Sequence, residues 1–328
     1  MSSTNRGPSV GRLIQGCDRS SANRSAAGTA RFSLSGCGLL RKGDWDWERL
    51  PERRVKEAGY DARIARDRVA RSRDGSSPRG KTIVDVKILQ PKCLNVPARR
   101  FRTVLAGAGV REVRSRGKWI FVDTTQGWVL LNMGMGGEIL WVQREAMPEK
   151  WRVSFAFDDG TALALNFWWF GHVHYAGAGK LGKHAMTSQL GPEATEITRD
   201  RLQQMVTGKR GAVKARLLDQ SKMAGIGNAY VHDILFMARL HPLRRLETLR
   251  QEEVDALAQA IQVGLLPSIE RGGAFYEVDL YGKRGGFTRD DMLIGYRGGK
   301  TCPACGTVIE KIKTSSTSSF ICPMCQPA

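Results

Sequence analysis

From Lys214 to Tyr230 the chain reads KARLLDQSKMAGIGNAY, and this stretch decides how the rest is read. Val213–Leu218 has the pattern of a short helix. Gly225 and Gly227 flank Ile226, so the backbone there can turn sharply and pass close to another group. Asn228 then opens a second helix reaching Ala238. The order is helix, two turns, helix. Backbone amides at the start of the second helix, with the Asn228 side chain, suit one phosphate. Taken alone, the stretch also fits an ordinary capped helix.

Outward from this point, residues 190–290 read as a helical domain. Thr198 is a cap for a helix through Met205. A longer amphipathic helix is expected from Thr248, with Glu252 and Glu253 in its first turn and Pro267 kinking or ending it. A glycine-rich loop, Gly272–Gly286, follows.

The end of the chain, residues 296–328, carries Cys302-x2-Cys305 and Cys322-x2-Cys325. That spacing suits a closed four-thiolate site for one structural zinc ion, with a β-hairpin between the two knuckles. Two disulfides are the alternative. They are disfavoured because no secretory signal is visible and Cys17, Cys37 and Cys93 form no pattern. With four protein ligands the metal has no open position, so this zinc builds a fold and does not activate water.

The net charge of +19 over 328 residues points to a polyanionic partner, nucleic acid ahead of an acidic membrane surface. No apolar run is long enough to span a bilayer. Together with reduced thiols, this leads us to expect a cytoplasmic protein, nucleoid-associated if bacterial. Up to Gly80 there are 17 Lys and Arg against 9 Asp and Glu, fifteen of the cations being arginine. Residues 1–79 are expected to be a disordered or mis-framed leader.

From Gly80 the pattern changes to dense apolar alternation. Strands are expected at Thr82–Leu89, Gly109–Ser115, Lys118–Asp123, Trp128–Met133, Glu138–Val142, Arg152–Phe157 and Ala162–Phe167, with a helix at Ala98–Leu105. Asp158-Asp159-Gly160 is a hairpin signal. Residues 80–185 thus form a β-sandwich or flattened barrel. The fold class is α+β: N-terminal β-sandwich, helix–two-turn–helix domain, C-terminal zinc β-hairpin.

In this order, the three units resemble the formamidopyrimidine-DNA glycosylase / endonuclease VIII family, from about Gly80 to Gln326. The resemblance implies a monomeric base-excision repair enzyme, a DNA glycosylase and AP lyase acting on oxidised bases. Its partner would be double-stranded DNA with a damaged base or an abasic site, held in the cleft between the two main domains. Gly117-Lys118 matches a strand start whose lysine, here Lys118, meets a phosphate near the lesion. Asn132-Met133-Gly134-Met135-Gly136-Gly137 is similar to the loop carrying a void-filling methionine, here Met135. Lys214, Asn228 and Tyr230 match the family's contacts with the strand.

Two departures accompany these matches. An Arg-Arg-Phe-Gly element, whose arginine supports the orphaned base, is replaced by Trp168-Trp169-Phe170-Gly171. An indole stacks or wedges but lacks a guanidinium's hydrogen bonds. The zinc-hairpin arginine that grips phosphates is replaced by Thr317, a hydroxyl without charge. The Gly272–Gly286 loop lies where some family members cap the flipped base.

Family chemistry uses an N-terminal proline amine that attacks the sugar, followed by a glutamate that handles protons. This chain begins Met1-Ser2-Ser3-Thr4, and the family's spacing from proline to first strand lands near Ala62, where no Pro-Glu stands. The catalytic residues are therefore unknown in the chain as written. Read one base out of frame, codons for Asp61–Asp67 permit Met-Pro-Glu-Leu-Pro-Glu. A shifted frame joined to a true family member is the expected cause. The alternative is a catalytically inactive damaged-DNA-binding protein of the same fold. An RNA-binding zinc-ribbon protein would explain the charge but not Met135 between glycines. His172 and His174, two apart on a strand, are expected to face the groove or the core without binding metal.

Overall fold

A computed structural model describes residues 77–168, 170–314 and 317–328. All but the last three residues of the expected leader lie outside it, as do Cys17, Cys37 and Trp169.

Eight antiparallel strands follow the apolar alternation: β1 Thr82–Ile88, β2 Ala108–Arg116, β3 Trp119–Thr124, β4 Gly127–Asn132, β5 Glu138–Gln143, β6 Val153–Phe157, β7 Thr161–Asn166 and β8 His172–Gly177. They run in the order β5-β7-β6-β1-β2-β3-β4-β8. β1 and β2 share only the pairs Thr82↔Gly109 and Ile83↔Ala108. The chain turns a corner there, and the two four-stranded halves face each other as a sandwich. Because successive side chains alternate between faces, Ile120 and Val122 enter the inner core while Trp119 and Phe121 point outward. Helix α1, Ala98–Leu105, closes the sandwich with Phe101 and Leu105 buried.

The outer face of the β2-β3-β4-β8 half is covered too. Trp119, Phe121, Leu130 and Ala176 pack with Leu190 and Ala224 from the following region. A strand face that would otherwise meet water is thereby used to dock the helical domain.

That domain contains α2 Arg199–Val206, α3 Val213–Leu218, α4 Asn228–Met237, α5 Gln251–Val263 and α6 Leu266–Glu270. Thr198 caps α2, its hydroxyl accepting from Arg201 N at 3.2 Å. The expected start of the long helix at Thr248 is corrected: Thr248 ends a 3-10 turn, and α5 begins after Arg250. The Glu253 carboxylate, accepting from Arg250 N at 2.8 Å, fixes that start. As expected, α5 stops short of Pro267: it ends at Val263, whose carbonyl Pro267 has no N–H to bond. Pro267 sits in the first turn of α6, where its missing N–H costs that helix no bond.

The zinc ribbon is a hairpin of β9 Glu310–Thr314 and β10 Thr317–Ile321. It has its own small core of Phe236, Ile294, Ile309, Cys302 and Cys322. Asp233 on α4 anchors the approach to it, accepting from Leu293 N, Ile294 N and Gly295 N at 2.8, 2.9 and 2.8 Å. Burial pushes the Asp233 carboxyl above the usual carboxylate range, against the pull of those three amides. No described helix is long and apolar enough to cross a membrane.

Candidate nucleic-acid interface and zinc site

The two turns between α3 and α4 are held by short polar side chains. The Asp219 carboxylate accepts from Ser221 N at 2.9 Å. The Gln220 amide donates to Ile226 O at 3.1 Å and accepts from Gly225 N at 3.0 Å. Gly225 has φ +113°, a value that favours glycine. Asn228 then starts α4, and its Oδ1 is buried without a protein partner. An acceptor left this way is a costly feature that a protein keeps for an external donor or water.

The turn before β3 meets this segment directly. Gly117 has φ +54°, and a β-carbon there would lie 2.9 Å from Ala224 Cβ. Gly117 N donates to Glu193 Oε1 at 2.5 Å, and the Arg116 guanidinium donates to Leu190 O at 2.8 Å. Lys118 therefore follows a turn that is locked to the helix–two-turn–helix.

A second cluster stands at the tips of two loops. Met135 is 71% exposed, between Gly134 at φ +61° and Gly136 at φ +64°. Trp168 and Phe170 are 66% and 60% exposed. The loops touch: a β-carbon on Gly134 would meet the Phe170 carbonyl at 2.9 Å, and one on Gly136 would lie 3.5 Å from Trp168 Nε1. Three large apolar side chains thus share one exposed tip. Sequence reading singled out Met135 and Trp168 but gave Phe170 no role. Its signal was an aromatic placed at a strand boundary, outside the alternating pattern.

Lys214 and Tyr230, matched in sequence to the family's strand contacts, point into the protein. Both are 3% exposed. The Tyr230 hydroxyl bonds Ser268 Oγ at 2.7 Å. Lys214 reaches into the zinc hairpin, its ammonium lying 3.1 Å from Thr314 Oγ1, 3.0 Å from Thr317 Oγ1, 2.8 Å from Ser318 O and 2.7 Å from Ser319 Oγ. Burial lowers its pKa to about 8.

His172 and His174 are half-buried. Trp119 stacks on His172 with ring centroids 5.8 Å apart, and His174 Nδ1 is 2.8 Å from His184 Nε2. Burial, with His172 and His184 nearby, holds the His174 pKa down to about 4.

The Gly272–Gly286 loop is folded back onto the sandwich. Leu280 enters the sandwich core, and its carbonyl accepts from Trp141 N on β5 at 2.7 Å. Tyr276 and Tyr281 of the same loop are exposed.

The four sulfurs Cys302, Cys305, Cys322 and Cys325 lie within 4.8 Å of one another, and none is in a disulfide. Cys305 and Cys322 are 3.3 Å apart and Cys302 and Cys325 3.9 Å. A tetrahedron with Zn–S of about 2.3 Å places its sulfurs about 3.8 Å apart, so the site fits one zinc ion. Burial pushes the Cys302 thiol up to about 11. A bound cation supplies the charge that makes such thiols thiolates.

A sandwich docked on a helix–two-turn–helix domain and followed by a four-cysteine ribbon defines a three-part zinc-ribbon fold, and its family follows from the matches to each part. Residues 68–167 match the formamidopyrimidine-DNA glycosylase N-terminal domain, residues 190–279 its H2TH domain, and residues 299–328 the zinc finger found in FPG and IleRS. The formamidopyrimidine-DNA glycosylase of Bacillus cereus is 32% identical over 256 residues, 76% of this chain and 92% of that one. That of Chloroflexus aggregans is 34% identical over 255 residues, 75% of this chain and 91% of that one. The chain belongs to the formamidopyrimidine-DNA glycosylase family. The fold agrees with Lactococcus lactis Fpg in complex with DNA containing an abasic site, at TM-score 0.74 and 21% identity over 82% of this chain and 98% of that one. It also agrees with the same protein bound to Fapy-dG DNA, at TM-score 0.73 and 21% identity over 81% and 98%.

Proposed function

We propose that this chain binds double-stranded DNA as a monomer and serves base-excision repair by removing oxidised bases, with AP lyase activity. The observation that supports the reading is the packing of the Gly117–Lys118 turn on the Ala224–Asn228 turn, the two turns to which we assign phosphate contacts. Lys118 and Asn228 grip the strand next to the lesion, and Thr317 contacts it from the zinc hairpin. Met135, with Trp168 and Phe170 beside it, fills the hole left by the flipped nucleotide. Lys214 and Tyr230, being buried, support these contacts from behind. The setting is cytoplasmic.

The chemistry needs a nucleophilic amine, and the family's is an N-terminal proline followed by glutamate. No Pro-Glu stands at the matching place, near Ala62. The out-of-frame Met-Pro-Glu over Asp61–Asp67 would supply one, and the family match opens at residue 68, directly after those codons. The missing proline also favours a second reading, an inactive damaged-DNA binder. Borohydride trapping on duplex DNA with an abasic site separates the two. An adduct only with a version restarted as Met-Pro-Glu supports the glycosylase. Binding without an adduct from either version supports the binder.

A further inference from the structure

We propose that Lys214 and Thr317 form one phosphate site, in which the buried ammonium supplies the charge and the threonine hydroxyl makes the contact. This rests on the proposed DNA-binding role of the zinc hairpin.

The Lys214 ammonium has three N–H groups, and all face acceptors of the hairpin segment Thr314–Ser319. No carboxylate is among them, so the charge is solvated by the hairpin without being neutralised. The other titratable group nearby is His232, whose own pKa burial and Lys214 together lower to about 3, so it adds no charge at neutral pH. Thr314 and Ser319, at 4% and 0% exposure, form the inner wall of this cage and bond each other at 2.8 Å.

Thr317 is half-buried, and among the described residues its side-chain bonding is one-sided. Its Oγ1 accepts from Lys214 at 3.0 Å. Among the described residues its own O–H has only Thr314 O at 3.5 Å, the outer limit of a hydrogen bond. A hydroxyl that accepts from an ammonium is a better donor than a free one, because the cation polarises it. A phosphate oxygen accepting from Thr317 would lie within about 6 Å of the ammonium, inside the Debye length at physiological salt. The protein thus presents a neutral surface group backed by a buried ammonium that is mostly protonated at neutral pH.

The test is the salt dependence of binding to a duplex with a tetrahydrofuran abasic analogue, measured with zinc content for wild type, Lys214→Met, Thr317→Val and the double variant. One phosphate contact contributes about 0.9 to the slope of log affinity against log salt. Each single variant is expected to lose about that amount while keeping its zinc, and the double to lose no more than either single. An unchanged slope in Lys214→Met, or losses that add in the double, overturns the shared site. If Lys214→Met sheds zinc, Thr317→Val decides alone, and its unchanged slope likewise overturns the proposal. A wild type with no salt-dependent binding would defeat the proposed DNA-binding function itself, a separate outcome.

Discussion

Gly117 and Ala224 meet so closely that a β-carbon on the glycine would fall 2.9 Å from the alanine's own. Across this contact, the turn that carries Lys118 packs directly on the turn that leads to Asn228. The glycine is required twice, by the approach and by φ +54°.

Gly117→Ala is therefore expected to destabilise the chain by about 1–3 kcal/mol, from left-handed backbone strain and the clash with Ala224. Affinity for duplex DNA should fall with it. Urea denaturation and a binding titration on the same preparation measure both. An unaltered midpoint would mean the two turns are not locked.

Met135→Ala should behave in the opposite way. The side chain is 71% exposed, so stability should stay within about 0.5 kcal/mol of wild type. Binding to DNA with an abasic site should weaken, and binding to undamaged duplex should change little. Equal losses on both duplexes would assign Met135 no part in filling a hole.

Removing the metal should unfold the ribbon. One zinc per chain is expected by atomic absorption, and a strong chelator or Cys322→Ser should release it together with DNA affinity. The sandwich, whose core shares no residue with the ribbon core, should keep its circular dichroism.

The buried His232 makes a pH prediction. Its folded pKa is about 3, lowered from 6.5 by burial first and Lys214 second. Below pH 6.5 the unfolded chain takes up a proton that the folded chain refuses. Stability is therefore full above pH 6.5 and falls by about 1.4 kcal/mol per pH unit as the pH drops toward 3. His174, held near 4, adds in the same direction. Thermal melts from pH 7 to 4 test this, and His232→Phe should flatten part of the slope.

Much of this architecture was legible because strands and helices leave different apolar periods. Ala98–Leu105 and Val213–Leu218 have the bounds that pattern alone suggests. Helix α5 was placed too early because Thr248 is the better capping residue by type. The backbone start was instead decided by Glu253 reaching back to Arg250 N, a choice between two local bonds that composition does not rank. Lys214 and Tyr230 were placed against the strand because they match family motif positions, a match that says nothing of what else their side chains touch. Their partners, Thr314–Ser319 and Ser268, lie far along the chain, and no local pattern announces them. The zinc site was fully legible, since its ligand spacing is itself the signal.

The Leu280 carbonyl covers part of one sheet edge by accepting from Trp141 N on the edge strand β5. An open strand edge is a template for pairing with other chains. During synthesis β5 emerges long before Leu280 does, so the nascent sandwich carries an uncapped edge until most of the helical domain has been made. The cover on this edge is thus a contact between distant segments, made only once the chain between them has been synthesised.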